Sequence, residues 1–364
     1  MPIPKIAAAV AALLLCTGGA RADPVAEFYK DQQVALVVGF SSGSGYDVYG
    51  RLVARYLSRH IPGRPTVAVQ NMPGAGSLRA ANYLYNDASN DGTVIGTFAR
   101  DIPLLGVAGG NPQTRFDIRG FTWLGSSSSY ANDAHLLFVH KDAPVRSIED
   151  ARRPGGPQLI LGGTADGAAV YDLTNVARDA LGLNVKVIAT YPNRYAPYYA
   201  AIRGEVDGRF ASLWATAQVQ PRWLRPGGNM RVLMQFARST RHKDFPDVPT
   251  AREVAEDDKA RALIEFAELP YRLSRPFILP PGVPAERARA LQWAFLAVHH
   301  DPQFLSDAAR LRIEVSPIGA AEALAVVEAM AHAPAEVRQY IQNLARTAPG
   351  RGQGRGWYAR QLSR

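Results

Sequence analysis

Cysteine is nearly absent from this chain: among 364 residues there is one, Cys16, in the opening segment. With no second cysteine there is no intrachain disulfide, and no thiol nucleophile or cysteine-based metal site beyond that position. Histidine is scarce too. Its seven copies, at 60, 135, 140, 242, 299, 300 and 332, lack metal-ligand spacing, and the adjacent His299 and His300 point to different helix faces, as surface or cap residues do. No metal, no cofactor and no catalytic residue is therefore expected. Neither a G-x-S-x-G nucleophile elbow nor H-E-x-x-H is expected, and Gly39, Gly43 and Gly45 do not have the G-x-G-x-x-G spacing of a dinucleotide turn.

Long hydrophobic runs are missing as well. Residues 6–16 form an apolar stretch of eleven, short of the ~20 needed to span a bilayer as a helix. Lys5 precedes it and Ala20-Arg21-Ala22 follows, the pattern of a secretory signal peptide with cleavage after Ala22. Leu15 before Cys16 argues against a lipid anchor. Cleavage would leave 364 − 22 = 342 residues with a charge of +9 − 2 = +7, in the periplasm. Acids are fewer than bases, 32 against 41, but the basic residues are scattered and form no stripe, so no nucleic-acid partner is expected. After Gly350 come four arginines and no acid, read as a solvated end.

What the chain does contain is 47% hydrophobic residues, enough for one large or two medium domains. Residues 33–40, 66–70 and 93–98 read as strands. Val48, Leu52, Val53, Tyr56 and Leu57 recur at helical spacing up to Pro62-Gly63, and Ser77 is placed to cap a helix running to Tyr85. The grammar restarts after Trp123, with strands at 136–139, 158–161, 185–189 and 208–211 and helices at 168–181 and 198–203. The last third reads as helical at 285–300, 302–309 and 320–344. Strand, loop, helix, strand predicts parallel sheets covered on both faces, in two α/β units.

Three strand-to-helix loops are rich in glycine and small hydroxyls: residues 41–47, 73–77 and 162–167. Each feeds a helix start, where free N–H groups and the positive dipole end favour an anion. Tight turns alone would also explain the glycines. Asp47 suits a helix N-cap or a general base, and Arg51, four residues on, pairs with it or reaches an anion.

These loops closely resemble those of a known family. Val38-Gly39-Phe40, Gly43-Ser44-Gly45-Tyr46-Asp47 with Arg51, and Asn71-Met72-Pro73-Gly74-Ala75-Gly76-Ser77 are similar to the tripartite tricarboxylate transporter substrate-binding receptors, the Bug family. Asp91-Gly92-Thr93, Gly162-Gly163-Thr164, Tyr191, Gly204-Glu205-Val206-Asp207, Phe245-Pro246-Asp247-Val248-Pro249-Thr250 and Leu279-Pro280-Pro281-Gly282-Val283-Pro284 follow in the family's order. The resemblance implies an α/β, two-lobed, type II periplasmic-binding-protein-like fold with crossing strands. Lobe 1 would comprise 23–125 and 232–345, lobe 2 residues 126–231, and a basic tail 346–364.

It further implies a monomeric binding protein, not an enzyme, that closes on a small carboxylate and hands it to membrane subunits of a tripartite tricarboxylate transporter. Its ligand-binding set would be Ser42, Gly43, Ser44, Gly45, Tyr46, Asp47, Ala75, Gly76, Ser77, Gly163, Thr164, Tyr191 and Asp207. A periplasmic protein feeding a membrane sensor and an extracytoplasmic enzyme acting on a carboxylate are the competing readings. The chain departs from the family at Tyr191-Pro192-Asn193-Arg194-Tyr195, where a glycine usually follows the tyrosine. Arg194 adds a cation that would favour a second carboxylate or simply be solvated. Asp166 would cap its helix or pair with an ammonium group, and Tyr46 and Tyr191 would form aromatic walls or pack.

Overall fold

The computed structural model describes residues 23–109, 111–164, 168–191, 195–225 and 227–347. The expected leader, Cys16 and nearly all of the expected tail lie outside them. The chain opens with α1 (Pro24–Tyr29), β1 (Gln33–Val38), α2 (Gly45–Leu57), β2 (Thr66–Asn71), α3 (Leu78–Asn86), β3 (Val94–Thr97), α4 (Ile102–Ala108) and β4 (Thr122–Ser126). A second group follows: β5 (His135–His140), α5 (Ile148–Arg152), β6 (Leu159–Thr164), α6 (Ala168–Leu181), β7 (Val185–Tyr191), α7 (Ala196–Ile202), β8 (Gly208–Ser212), α8 (Leu213–Val219) and β9 (Met230–Phe236). The chain then returns through α9 (Ala251–Val254), α10 (Asp258–Arg272), β10 (Pro276–Leu279), α11 (Ala285–Val298), α12 (Pro302–Leu311), β11 (Ile318–Gly319), α13 (Ala320–Ala331) and α14 (Ala335–Thr347).

Two sheets result. The first has the order β11-β4-β10-β3-β1-β2 and the second β7-β6-β8-β5-β9. Strands expected from the sequence pair in parallel: β1 with β2 and β3, β6 with β7 and β8. Such strands are covered on both faces by helices, which is why Val34, Leu36, Val37 and Val38 are all buried rather than alternating. The sheets are mixed, because strands outside the parallel units join them. β10, β4 and β11 add antiparallel to the first sheet, and β5 and β9 to the second.

The antiparallel strands are the crossings. Residues 127–134 carry the chain from β4 to β5 and continue the first sheet's ladder. Ser127 N–H donates to Arg275 O at 2.9 Å, Ser129 N–H to Ser316 O at 2.9 Å, and Ser274 N–H to Ser128 O at 3.1 Å. The return follows β9, which pairs with β5 along its length, so the boundary expected between 231 and 232 falls inside a strand. α10 then packs on both α6 and α13, and one apolar core joins Leu161, Leu173 and Phe210 of the second lobe to Leu78, Phe98 and Met330 of the first. The C-terminal helix read as unbroken over 320–344 stops at Ala331 and restarts at Ala335, because Pro334 supplies no N–H to continue the ladder.

Candidate functional site

Topology brings loops 1 and 2 (residues 39–46 and 73–77) and the carboxyl end of β6 towards one junction. His135, the β5 residue next to the first crossing, pairs with Ser212, the last residue of β8. The carboxyl edge of β6 and β8 therefore adjoins the crossing. In the first sheet β10 begins just after Arg275, a crossing residue, and runs antiparallel to β3. The carboxyl edge of β1, β2 and β3 adjoins it too. Ligands of open α/β sheets bind at that edge.

Loop 1, residues 39–46, is held from beneath by Asp47. Its carboxylate accepts from Gly43 N–H at 2.7 Å, Asn71 Nδ2 at 2.7 Å and Arg51 Nε at 2.9 Å, with Ser42 Oγ at 3.5 Å. Burial pushes this carboxyl up, but the bonds from Arg51, Asn71 and Gly43 outweigh it and hold it below its ordinary value. Asp47 is fully enclosed and Ser44 is the N-cap, accepting from Asp47 N–H at 3.2 Å. Ser44, not Asp47, is thus the cap; Asp47 is the clasp of the loop, and Arg51 pairs with it. The Gly43 and Ser44 amides are spent within the loop, on Asp47 and on Ser41 O. The N–H groups of Gly45 and Tyr46 have no partner among the described residues.

Loop 2 lies directly beside it. Gly39 approaches Ser77 so closely that a Cβ there would run into the serine's own. Ala75, Gly76 and Ser77 all have positive φ (48°, 61° and 71°), and Leu78 then turns right-handed. This run of three left-handed residues ending in a right-handed one makes a tight turn, exposed at Ala75 and Gly76, at the start of α3. Ser77 stands at the start of α3 as expected, yet its Oγ accepts Ala99 N–H at 2.7 Å instead of capping the helix.

Tyr46 forms the wall between these loops and the crossing. Its ring stacks on Phe40 (4.3 Å, 7°), its hydroxyl accepts Arg100 N–H at 3.0 Å, and the Arg275 guanidinium lies 4.5 Å from its centroid. Arg275 also faces Tyr49 at 4.9 Å, and Arg100 lies 4.3 Å over Tyr271. Beneath sit two buried carboxyls. Burial pushes Asp133 up to about 7, against amide bonds from Ala134 and Trp214, and also raises Glu314, which accepts from Ser128 Oγ. Sequence reasoning missed Arg100, Arg275, Asp133 and Glu314. They stand singly, in no motif, and only the fold collects them.

The second lobe contributes less of the expected set. Gly163 and Thr164 end β6 at the right edge, where Thr164 pairs with Tyr191. Asp166 and Arg194 lie outside the described residues. The half-buried Tyr191 packs its ring against Gly162, in the core that includes Tyr198 and Val206. Asp207 is not brought to the junction. It precedes β8 at the opposite edge and fastens strands: its carboxylate accepts Ile160 N–H at 2.7 Å and its carbonyl accepts His140 N–H at 2.7 Å.

Residues 39–43 spell G-x-S-x-G, a match the motif reading passed over. A nucleophile elbow needs a strained serine beside a histidine. Ser41 is not among the positive-φ residues, and no hydrogen bond joins it to a histidine among the described residues. Of the two readings for His299, surface or cap, the cap holds: it is the C-cap of α11, and it is not on the surface. It is buried between Phe295 O and Ser127 Oγ (2.7 and 2.8 Å), and burial lowers it to about 4. Among the described residues no cluster could hold a metal, and no helix is long and apolar enough to cross a membrane. A cavity of ≈ 560 Å³ lined by Ala75, Arg79 and Tyr83 lies behind loop 2, along α3.

Two mixed α/β sheets joined by crossing strands define the periplasmic-binding-protein-like class of fold. The chain superposes on a TctC solute-binding protein from Polaromonas with a TM-score of 0.66, at 19% identity, over 86% of this chain and 99% of that one. It superposes on Rpa4515 of R. palustris, solved with adipate, with a TM-score of 0.58, at 22% identity, over 87% and 97%. In sequence it is 25% identical over 256 residues to the "UPF0065 protein in gbd 5'region" of Cupriavidus necator, covering 68% of this chain and 72% of that protein. No family model matches. The resemblance to the tricarboxylate-type receptors drawn from the sequence is borne out in these comparisons.

Proposed function

We propose that the protein is an extracytoplasmic receptor that captures a small carboxylate between its lobes, unchanged, and delivers it to a tripartite tricarboxylate-type membrane transporter. The first lobe would comprise 23–126 and 237–347, the second 127–236. The observation that supports this reading is the packing of loop 1 on loop 2 at Gly39 and Ser77, in a loop whose Gly45 and Tyr46 amides are unengaged among the described residues. Such groups satisfy a carboxylate and offer no nucleophile or general base. The adipate held by a similarly folded protein supports the ligand class. The leader-like start supports export.

A thermal-shift screen of mono- and dicarboxylates tests it, followed by mass spectrometry of the recovered ligand. Ligand at a hundred times its Kd should stabilise the protein by about 2.7 kcal/mol. The recovered mass should be unaltered. Turnover, or no shift with any carboxylate, would refute the reading.

A further inference from the structure

Loop 1 is accompanied by two cations that its motif does not contain. Arg275 is half-buried between the Tyr46 and Tyr49 rings. Its Nη1 donates to Ser274 O and Oγ (2.7 and 3.1 Å), and its Nε is buried without a partner. Its Nη2 lies 3.7 Å from where a Gly45 Cβ would stand, in the first turn of α2. Arg100, whose side chain is 16% exposed, rests on Tyr271, and its Nε is likewise buried without a hydrogen bond. The acid nearest Arg100 is Asp101, at 3.9 Å and itself 45% exposed. Glu314 senses Arg275, but no ion pair joins them.

Arg275 is half-buried with no ion pair among the described residues, and Arg100 is mostly buried with only a long 3.9 Å pairing to the exposed Asp101, so an anion between them would lower the cost of holding both guanidiniums there. A guanidinium fork matches a carboxylate bidentately. Arg275 reaches the first turn of α2 at Gly45, whose amide is unengaged, whereas Arg100 is tied to the Tyr46 hydroxyl through its own backbone N–H. Electrostatically Arg100 reaches the second lobe, lowering His135 together with burial and Arg209.

We propose that Arg275 and Arg100 are ligand-binding residues that select a dicarboxylate. One carboxylate sits at the opening of α2 on Arg275 and the loop amides, and the other sits on Arg100. This rests on the receptor reading above and names the charge of its ligand.

The test is calorimetric titration of the full exported chain with succinate, glutarate and adipate, against butyrate, valerate and hexanoate. Sulfate and phosphate serve as simple dianions. Arg100→Gln, Arg275→Gln, the corresponding lysine variants and Arg59→Gln, on an exposed face, are compared. Ligand-free melting temperatures exclude misfolded variants.

The wild type should bind its best dicarboxylate at least tenfold more tightly than the monocarboxylate of equal length and than either inorganic anion. Arg100→Gln should shrink that preference below threefold. Arg275→Gln should weaken every carboxylate at least tenfold, with partial recovery in Arg275→Lys. If a glutamine variant does not fold, the lysine variant decides, since it keeps charge but loses the fork and should fall between. Equal affinities in wild type and variants would overturn this inference alone. So would a wild type that prefers monocarboxylates or sulfate. Failure of every carboxylate to bind the wild type would sink the receptor reading and this inference with it.

Discussion

Replacing Asp47 with alanine should loosen loop 1 while leaving the fold intact. The magnitude follows from what its carboxylate holds. The Arg51 ion pair is 48% exposed on the arginine side, and exposed pairs contribute under about 1 kcal/mol. The bonds from Gly43 N–H and Asn71 Nδ2 are short, charge-assisted and part-buried, at roughly 1.5–3 kcal/mol each at most. Gly43 is exposed, so water recovers its N–H, and Asn71 still donates to Phe40 O. The expected cost is therefore near the lower end, about 3 kcal/mol, read from urea denaturation followed by tryptophan fluorescence.

A pH arm follows from the same bonds. The Asp47 carboxyl is lowered in the folded state, so its stabilisation is present above the ordinary carboxylate range and is lost as pH falls through the lowered value. The gap between wild type and Asp47→Ala should close on acidification. A cost below about 1 kcal/mol, or a gap independent of pH, would refute the clasp.

Other outcomes follow from the same geometry. Asp133 is raised from 3.8 to about 7 by burial, so the folded protein holds its proton more tightly than the unfolded chain does. Stability should fall as pH rises from about 4 to 7, by up to ~4 kcal/mol from this group. Asp133→Asn should flatten that slope in urea melts, and an unchanged slope would count against the assignment. Gly39→Ala drives a methyl into Ser77 and should cost about 1–3 kcal/mol while weakening carboxylate binding in calorimetry. Gly76 has no atom within 4 Å of a Cβ position but a φ of +61°, so Gly76→Asp should still fold, at a cost of about 1 kcal/mol, since aspartate is among the side chains that tolerate this region. Its carboxylate beside the loop amides should abolish binding, and wild-type affinity would contradict the placement.

Much of the parallel framework was legible because buried parallel strands announce themselves as apolar runs, and glycine with serine marks the helix starts after them. The crossings were not. Residues 276–279 form an apolar run as short as many loops, and β11 is two residues long, so neither carries period or length enough to read. α10 was missed although its buried Ala260, Ile264 and Tyr271 lie on one side, because Pro270 inside it reads as a breaker. Asp207 was misplaced for a different reason. A motif match says that a residue recurs, not which end of a strand it serves, and this one ties β8 to β6. Arg100 and Arg275 are 175 positions apart in the chain, and only the antiparallel insertion of β10 beside β3 brings both to Tyr46.

The most direct measurement is a crystal structure of the protein grown with adipate or succinate. The account predicts density for an intact dicarboxylate between the lobes, with one carboxylate on the Gly45 and Tyr46 amides and loop 2 close over it. Ligand bound elsewhere, as in the cavity behind loop 2, or a junction closed by side chains with no room for it, would contradict it.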